Sequence, residues 1–130
     1  MYQELQSKVT EEKPSYSREE IQWLLEHLGD SSPEIRDDLV FTSFARGIQE
    51  ELFTKEQFQF ISAMIVSDGG LDKELDKLGA STLERSFRAL IYANLLSADG
   101  NEHSIFYQLL QTDIRNTMLD QGLHYLEKEE

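Results

Sequence analysis

A cysteine-free chain of 130 residues, 39% apolar and carrying seven Phe, five Tyr and one Trp, can fill one core or one short stack of helices. It excludes a disulfide framework and thiolate metal or redox chemistry. Twenty-five acidic against twelve basic residues give a formal net charge of -13, which repels phosphate backbones and anionic membrane surfaces and argues against nucleic-acid binding.

The N-terminus, "MYQELQSKVTEEKPSYS", has no apolar core of signal-peptide type, and no window of about eighteen apolar residues occurs, so a soluble cytoplasmic protein is expected. Apolar positions recur with helical rather than alternating period, which predicts an all-α fold. Residues 1–16 are expected to form a loosely held helix over Tyr2, Leu5 and Val9, set apart by Pro14. Ser17-Arg18-Glu19-Glu20 is a capping box and opens a helix whose inner face is Ile21, Leu24, Leu25 and Leu28, with Trp23 at its flank and an end near Gly29. Ser32-Pro33 restarts the chain, since serine can cap and proline suits the first helical position. This second helix is predicted to reach about Gln49 through Ile35, Leu39, Val40, Phe44 and Ile48.

Thr54-Lys55-Glu56-Gln57 is another capping box, with Phe58, Ile61, Met64 and Ile65 predicted inward and an end at "SDGG". Residues 71–78 read equally as a short helix or an ordered loop. Ser81-Thr82-Leu83-Glu84 is expected to cap a fourth helix carrying Phe87, Leu90, Ile91, Asn94 and Leu95, ending before Asp99-Gly100. The segment 104–127 is helical in character, with a potential break near Thr112, and Leu109, Leu110, Ile114, Met118, Leu123 and Leu126 form its buried side. The result is a stack of antiparallel helical hairpins, 17–49 and 54–97 side by side, with the final segment opening a third and five to six helices in all.

The chain also repeats itself. "LGDSSPE" at 28–34 and "LGASTLE" at 78–84 share Leu, Gly, Ser and Glu at a constant offset of fifty. A period of about 40–50 residues built from paired helices is the pattern of an α-hairpin array. The stretch "LLEHLGDSSPEIRDDLVFTSFARGI" resembles a HEAT repeat, with Asp30, Pro33, Glu34, Ile35 and Arg36 in the places of its turn and second-helix start. More narrowly, "RDDLVFTSFARGI" followed by "LERSFRALIYANLL" resembles an uncharacterised bacterial family, a domain of unknown function with a HEAT-like fold, over roughly residues 20–128. The resemblance implies a HEAT-like superhelix and assigns no activity. It also implies a further helical pair with a tryptophan and histidines beyond "YLEKEE", whose roles cannot be carried over to this chain.

Glu34, Asp37 and Asp38 stand in the first turns of a predicted helix, where the exposed amides and the macrodipole favour negative charge, so they need no metal to explain them. Arg36 is expected to pair with one of these acids or to bridge to the next hairpin. Two stretches imitate calcium loops and fail: the one from Asp99 has Ser104 and Leu110 where glycine and glutamate belong, and the one from Asp68 has Lys73 and Gly79 there. His27, His103 and His124 are too scattered to suggest a metal site, and no phosphate loop, nucleophile elbow or dinucleotide fingerprint occurs. Asn94 interrupts an apolar face, and two roles are open to it: a hydrogen bond to a neighbouring helix that sets packing register, or a ligand contact.

No catalytic, cofactor or metal site is expected. The favoured reading is a non-catalytic protein-interaction module or small scaffold. The alternative is an acidic nucleic-acid mimic that regulates a DNA- or RNA-binding protein, although acids scattered from Glu4 to Glu130 suit the scaffold better. The last helical segment carries more apolar residues than one inward stripe needs, so Phe106, Leu110, Met118 and Tyr125 are expected to meet a partner protein, a second copy in a homodimer, or a further C-terminal hairpin if the chain is a fragment of a longer protein.

Overall fold

The computed structural model describes the chain apart from Gly29, Ser31, residues 68–79 and Glu130; the side chains of 80–86 and 124–129 likewise lie outside the described part. Helix α1 spans Tyr2–Lys8 and α2 spans Arg18–Glu26. A π-helical segment, Glu34–Phe41, runs without a break into α3, Thr42–Gln49. Then follow α4 (Lys55–Ile65), α5 (Ala80–Asp99) and α6 (Thr112–Glu129). The fold is all-α, with no strand among the described residues. None of the described helices is long and apolar enough to cross a membrane.

Two helix starts follow directly from local chemistry. Ser17 Oγ accepts the Glu20 amide (3.1 Å) while the Glu20 carboxylate accepts the Ser17 amide (2.8 Å). Thr54 and Gln57 exchange the same two bonds, each 3.0 Å long. Each pair satisfies two amides that no helical carbonyl can reach. At the second helix the main chain does the capping: the Ser32 carbonyl accepts the Ile35 and Arg36 amides (3.1 and 2.9 Å), and Asp30 Oδ1 holds the Ser32 amide (2.8 Å). The wide turns that follow are braced by Thr42 Oγ1, which donates to the Asp37 carbonyl five residues back (3.1 Å). They bring Leu39 and Val40 together into the core.

α2 packs on α4, α3 on α5, and α6 on α5. The core they enclose holds Ile21, Leu24, Phe44, Phe58, Ile61, Ile65, Ile91 and Leu95. Arg88 is buried with them and donates to the Ile65 carbonyl (2.9 Å) at the end of α4, where unpaired carbonyls favour a cation.

Several expectations are corrected. The N-terminal segment is tied down rather than loosely held. Leu5 is fully buried, Lys8 Nζ meets Glu20 Oε1 at 2.6 Å, and Arg46 donates to the Val9 and Glu12 carbonyls (2.7 and 3.0 Å). Ser81 and Thr82 are already helical within α5, so Ser81 does not cap it. Leu78, Gly79 and the undecided 71–78 stretch lie outside the described residues.

Residues 104–111 form turns, and α6 starts only at Thr112. Side chains here offer the amides partners that compete with helical carbonyls. Asn101 Oδ1 takes the His103 amide (2.9 Å), Ser104 Oγ takes that of Phe106 (3.0 Å), and Asp99 Oδ1 takes that of Leu110 (2.9 Å). Leu90, Met64 and Leu123, expected inward, are substantially exposed.

The interaction surface expected at the C-terminal end is not exposed either. Phe106 and Met118 are completely buried and Leu110 nearly so, because the turn folds Phe106 back onto Phe58. The Tyr125 side chain lies outside the described part. Among the described side chains of α6, the exposed large apolar ones are instead Leu119 and Leu123, one turn apart.

Candidate functional site

α3 ends at Gln49, and the chain must reverse within a few residues to begin α4. Gly47 permits this. Its carbonyl accepts the amides of Leu52 and Phe53 (2.9 and 3.3 Å), and a Cβ there would stand 2.2 Å from the Phe53 ring. The reversal places Glu51 at φ 57, in the left-handed region that side chains other than glycine rarely adopt. Glu51 is thereby brought beside the last turns of α5.

The space between these ends is a cleft of ≈ 300 Å³ lined by Ile48, Gln49, Glu51, Asn94, Ser97, Ala98, Asn101 and Ser104. Gln49 Nε2 donates to Asn94 Oδ1 (2.9 Å) across it, joining α3 to α5. Asn101 and Ser104 shape the far wall through the turn bonds to His103 and Phe106.

The lining offers three carboxamides, two hydroxyls and one carboxylate, and it contains neither histidine, lysine nor arginine. The Ser104 hydroxyl already accepts the Phe106 amide, and the single carboxylate of the lining is that of Glu51. Such a set offers hydrogen-bond donors and acceptors and one negative charge. Among the described residues no group of His, Asp or Glu side chains is placed to hold a metal ion.

Of the residues singled out in the sequence, Asn94 lies in this cleft. Arg36 lies elsewhere, and it makes both of the contacts considered for it. Its guanidinium donates to the Asp37 carboxylate (2.7 and 3.3 Å) and sits 5.6 Å from the Phe87 ring centre on α5. Glu34 and Asp38 are exposed, and Asp37 is occupied by Arg36, so the acidic run serves a turn and a helix start.

Sequence reasoning missed Gln49 and Glu51, whose only signal was a cluster of polar residues between two helices. It also missed Asp99, which read as a helix end. Asp99 is buried and binds Arg115 Nε (3.0 Å) together with the Leu110 amide, fastening both the 100–111 turn and α6 to α5. Comparison of the chain with known protein families, with curated proteins and with solved structures finds no match.

Proposed function

We propose that the protein is a non-catalytic interaction module, a short HEAT-like stack of helical hairpins that binds a partner protein at the cleft between the ends of α3 and α5. The observation that carries this reading is the Gln49–Asn94 bond across an opening lined mainly by polar side chains. Carboxamides on rigid helices are suited to recognising polar groups of an incoming chain, since each offers both a donor and an acceptor. The pairing of α2 with α4 and of α3 with α5 is the arrangement that neighbouring hairpins in a HEAT-like array would have.

A photo-crosslinking residue introduced at Ser97, compared with one at Asn116 on the outer face of α6, tests the reading in the source cell. A partner captured from Ser97 and not from Asn116 is the expected result. Equal capture from both positions, or from neither, overturns it. Capture of one nucleic-acid-binding protein from acidic positions all over the surface supports the acidic mimic instead.

A further inference from the structure

We infer that the cleft is a receptor for a guanidinium group, the side chain of an arginine in a basic segment of the partner, with the Glu51 carboxylate as its charge partner. The inference rests on the reading of the cleft as a binding surface and names the chemistry it would take.

The lining carries one negative group and no positive one. Its remaining polar side chains are the carboxamides of Gln49, Asn94 and Asn101 and the hydroxyls of Ser97 and Ser104, among which the Asn94, Asn101 and Ser104 oxygens each accept one bond already and keep a second lone pair. A guanidinium is the complement of such a set. It has five donors and no acceptor, it keeps its charge at any physiological pH, and its planar fork matches a carboxylate in two parallel bonds. The volume, ≈ 300 Å³, accommodates a side-chain head and not a folded surface.

Glu51 differs from its neighbour in the company it keeps. Glu50 is committed to Arg46 through both oxygens (2.8 and 3.1 Å), whereas among the described residues no cation is paired with Glu51. Arg46 is in turn occupied by the Val9 and Glu12 carbonyls, so it is not held in reserve for Glu51. Glu51 is the left-handed residue that closes α3, with the Leu52 amide on the Gly47 carbonyl (2.9 Å), and this turn fixes where its carboxylate stands. The net charge of -13 draws cations toward the surface as a whole, and the cleft decides where one is retained.

The test is a titration of the isotope-labelled full chain with N-acetyl-arginine amide and, separately, with N-acetyl-lysine amide at low salt, read by NMR. Saturable shifts of the side-chain amides of Gln49, Asn94 and Asn101 are expected with the arginine ligand, and binding at least threefold weaker with the lysine ligand. Glu51→Gln should weaken arginine binding at least fivefold, while Glu34→Gln leaves it unchanged. Glu51→Gly removes the carboxylate and relieves the backbone, so it should lose binding while folding at least as well as the parent, which separates recognition from stability. Shifts spread over the acidic surface, equal affinity for the lysine ligand, or indifference to Glu51→Gln would each overturn the proposal. A partner crosslinked at Ser97 equally well in the Glu51→Gln chain leaves the interaction module standing and removes the arginine receptor.

Discussion

The ring of Phe106 lies flat on that of Phe58, centroids 4.4 Å apart and planes 11° from parallel, so a residue from an irregular turn is part of the core. α4 supplies one ring and the 100–111 turn the other, and the Asp99 carboxylate closes the turn behind them.

Removal of the Phe106 ring leaves a cavity against Phe58 that surrounding helices can only partly fill. Phe106→Ala should cost about 3–5 kcal/mol. Urea denaturation followed by circular dichroism measures it; a cost below about 1 kcal/mol, the scale of an exposed site, would mean that the ring is not buried as described. Asp99→Ala should leave the helices in place and speed hydrogen exchange at the Leu110 amide, which loses its carboxylate partner, more than at the Gln108 amide, whose partner is the Asp99 main-chain carbonyl.

Gly47→Ala should destabilise by about 1–3 kcal/mol, the usual cost of overpacking, because the new methyl meets the Phe53 ring. A smaller side chain at position 53 makes room. The double variant Gly47→Ala/Phe53→Leu should therefore lose less than the sum of its two single variants in a thermodynamic cycle. Additive losses would show that the contact is not the cause.

Glu51→Gly should stabilise the fold by about 0.5–1 kcal/mol. It relieves the left-handed conformation, and part of that gain is offset by the greater freedom of glycine in the unfolded chain. Thermal unfolding of the two chains side by side decides, with a lower midpoint for the glycine variant counting against the strain.

Stability should fall on acidification through Glu20. Burial pushes its carboxyl up, but bonds from the Lys8 ammonium and the Ser17 amide and hydroxyl outweigh that, and the net result is a carboxyl held below its ordinary value. The unfolded chain therefore takes up the proton more readily. The stabilisation is present above the ordinary glutamate range, near about pH 4.3, and is lost as pH falls through the lower folded value. Glu20→Gln should flatten this limb of the stability profile. Trp23, the single tryptophan and 6.1 Å from Tyr2 of α1, provides a fluorescence signal for the release of the N-terminal segment.

Met118 and Leu119 are neighbours in sequence and opposites in environment, one fully buried and the other 52% exposed. Met118→Ala should cost about 2–5 kcal/mol, whereas Leu119→Ser should change stability by no more than about 0.5 kcal/mol. Leu119 and Leu123 are the exposed large apolar residues among the described side chains of α6, so sedimentation of a Leu119→Glu/Leu123→Glu variant beside the parent at micromolar concentration reports whether that stripe is covered by a second copy.

The sequence by itself determined the all-α class, the Ser17 and Thr54 helix starts and most of the inward stripe of α2 and α4. These depend on side chains and amides three or four residues apart, which meet whatever the rest of the chain does. Asn94 was legible as a polar residue out of place, and Arg36 as a cation beside acids. Only the tertiary structure decided the rest. Phe106 and Met118 turned inward because α4 and α5 stand where those side chains can reach them, and an apolar residue is inside or outside only with respect to a neighbour that sequence spacing does not reveal. The 104–111 segment gave up its helical bonds to a carboxylate eleven residues before Leu110. The cleft exists because α3 packs on α5, which joins Gln49 to Asn94 across 45 positions of chain and swings Glu51 in beside them.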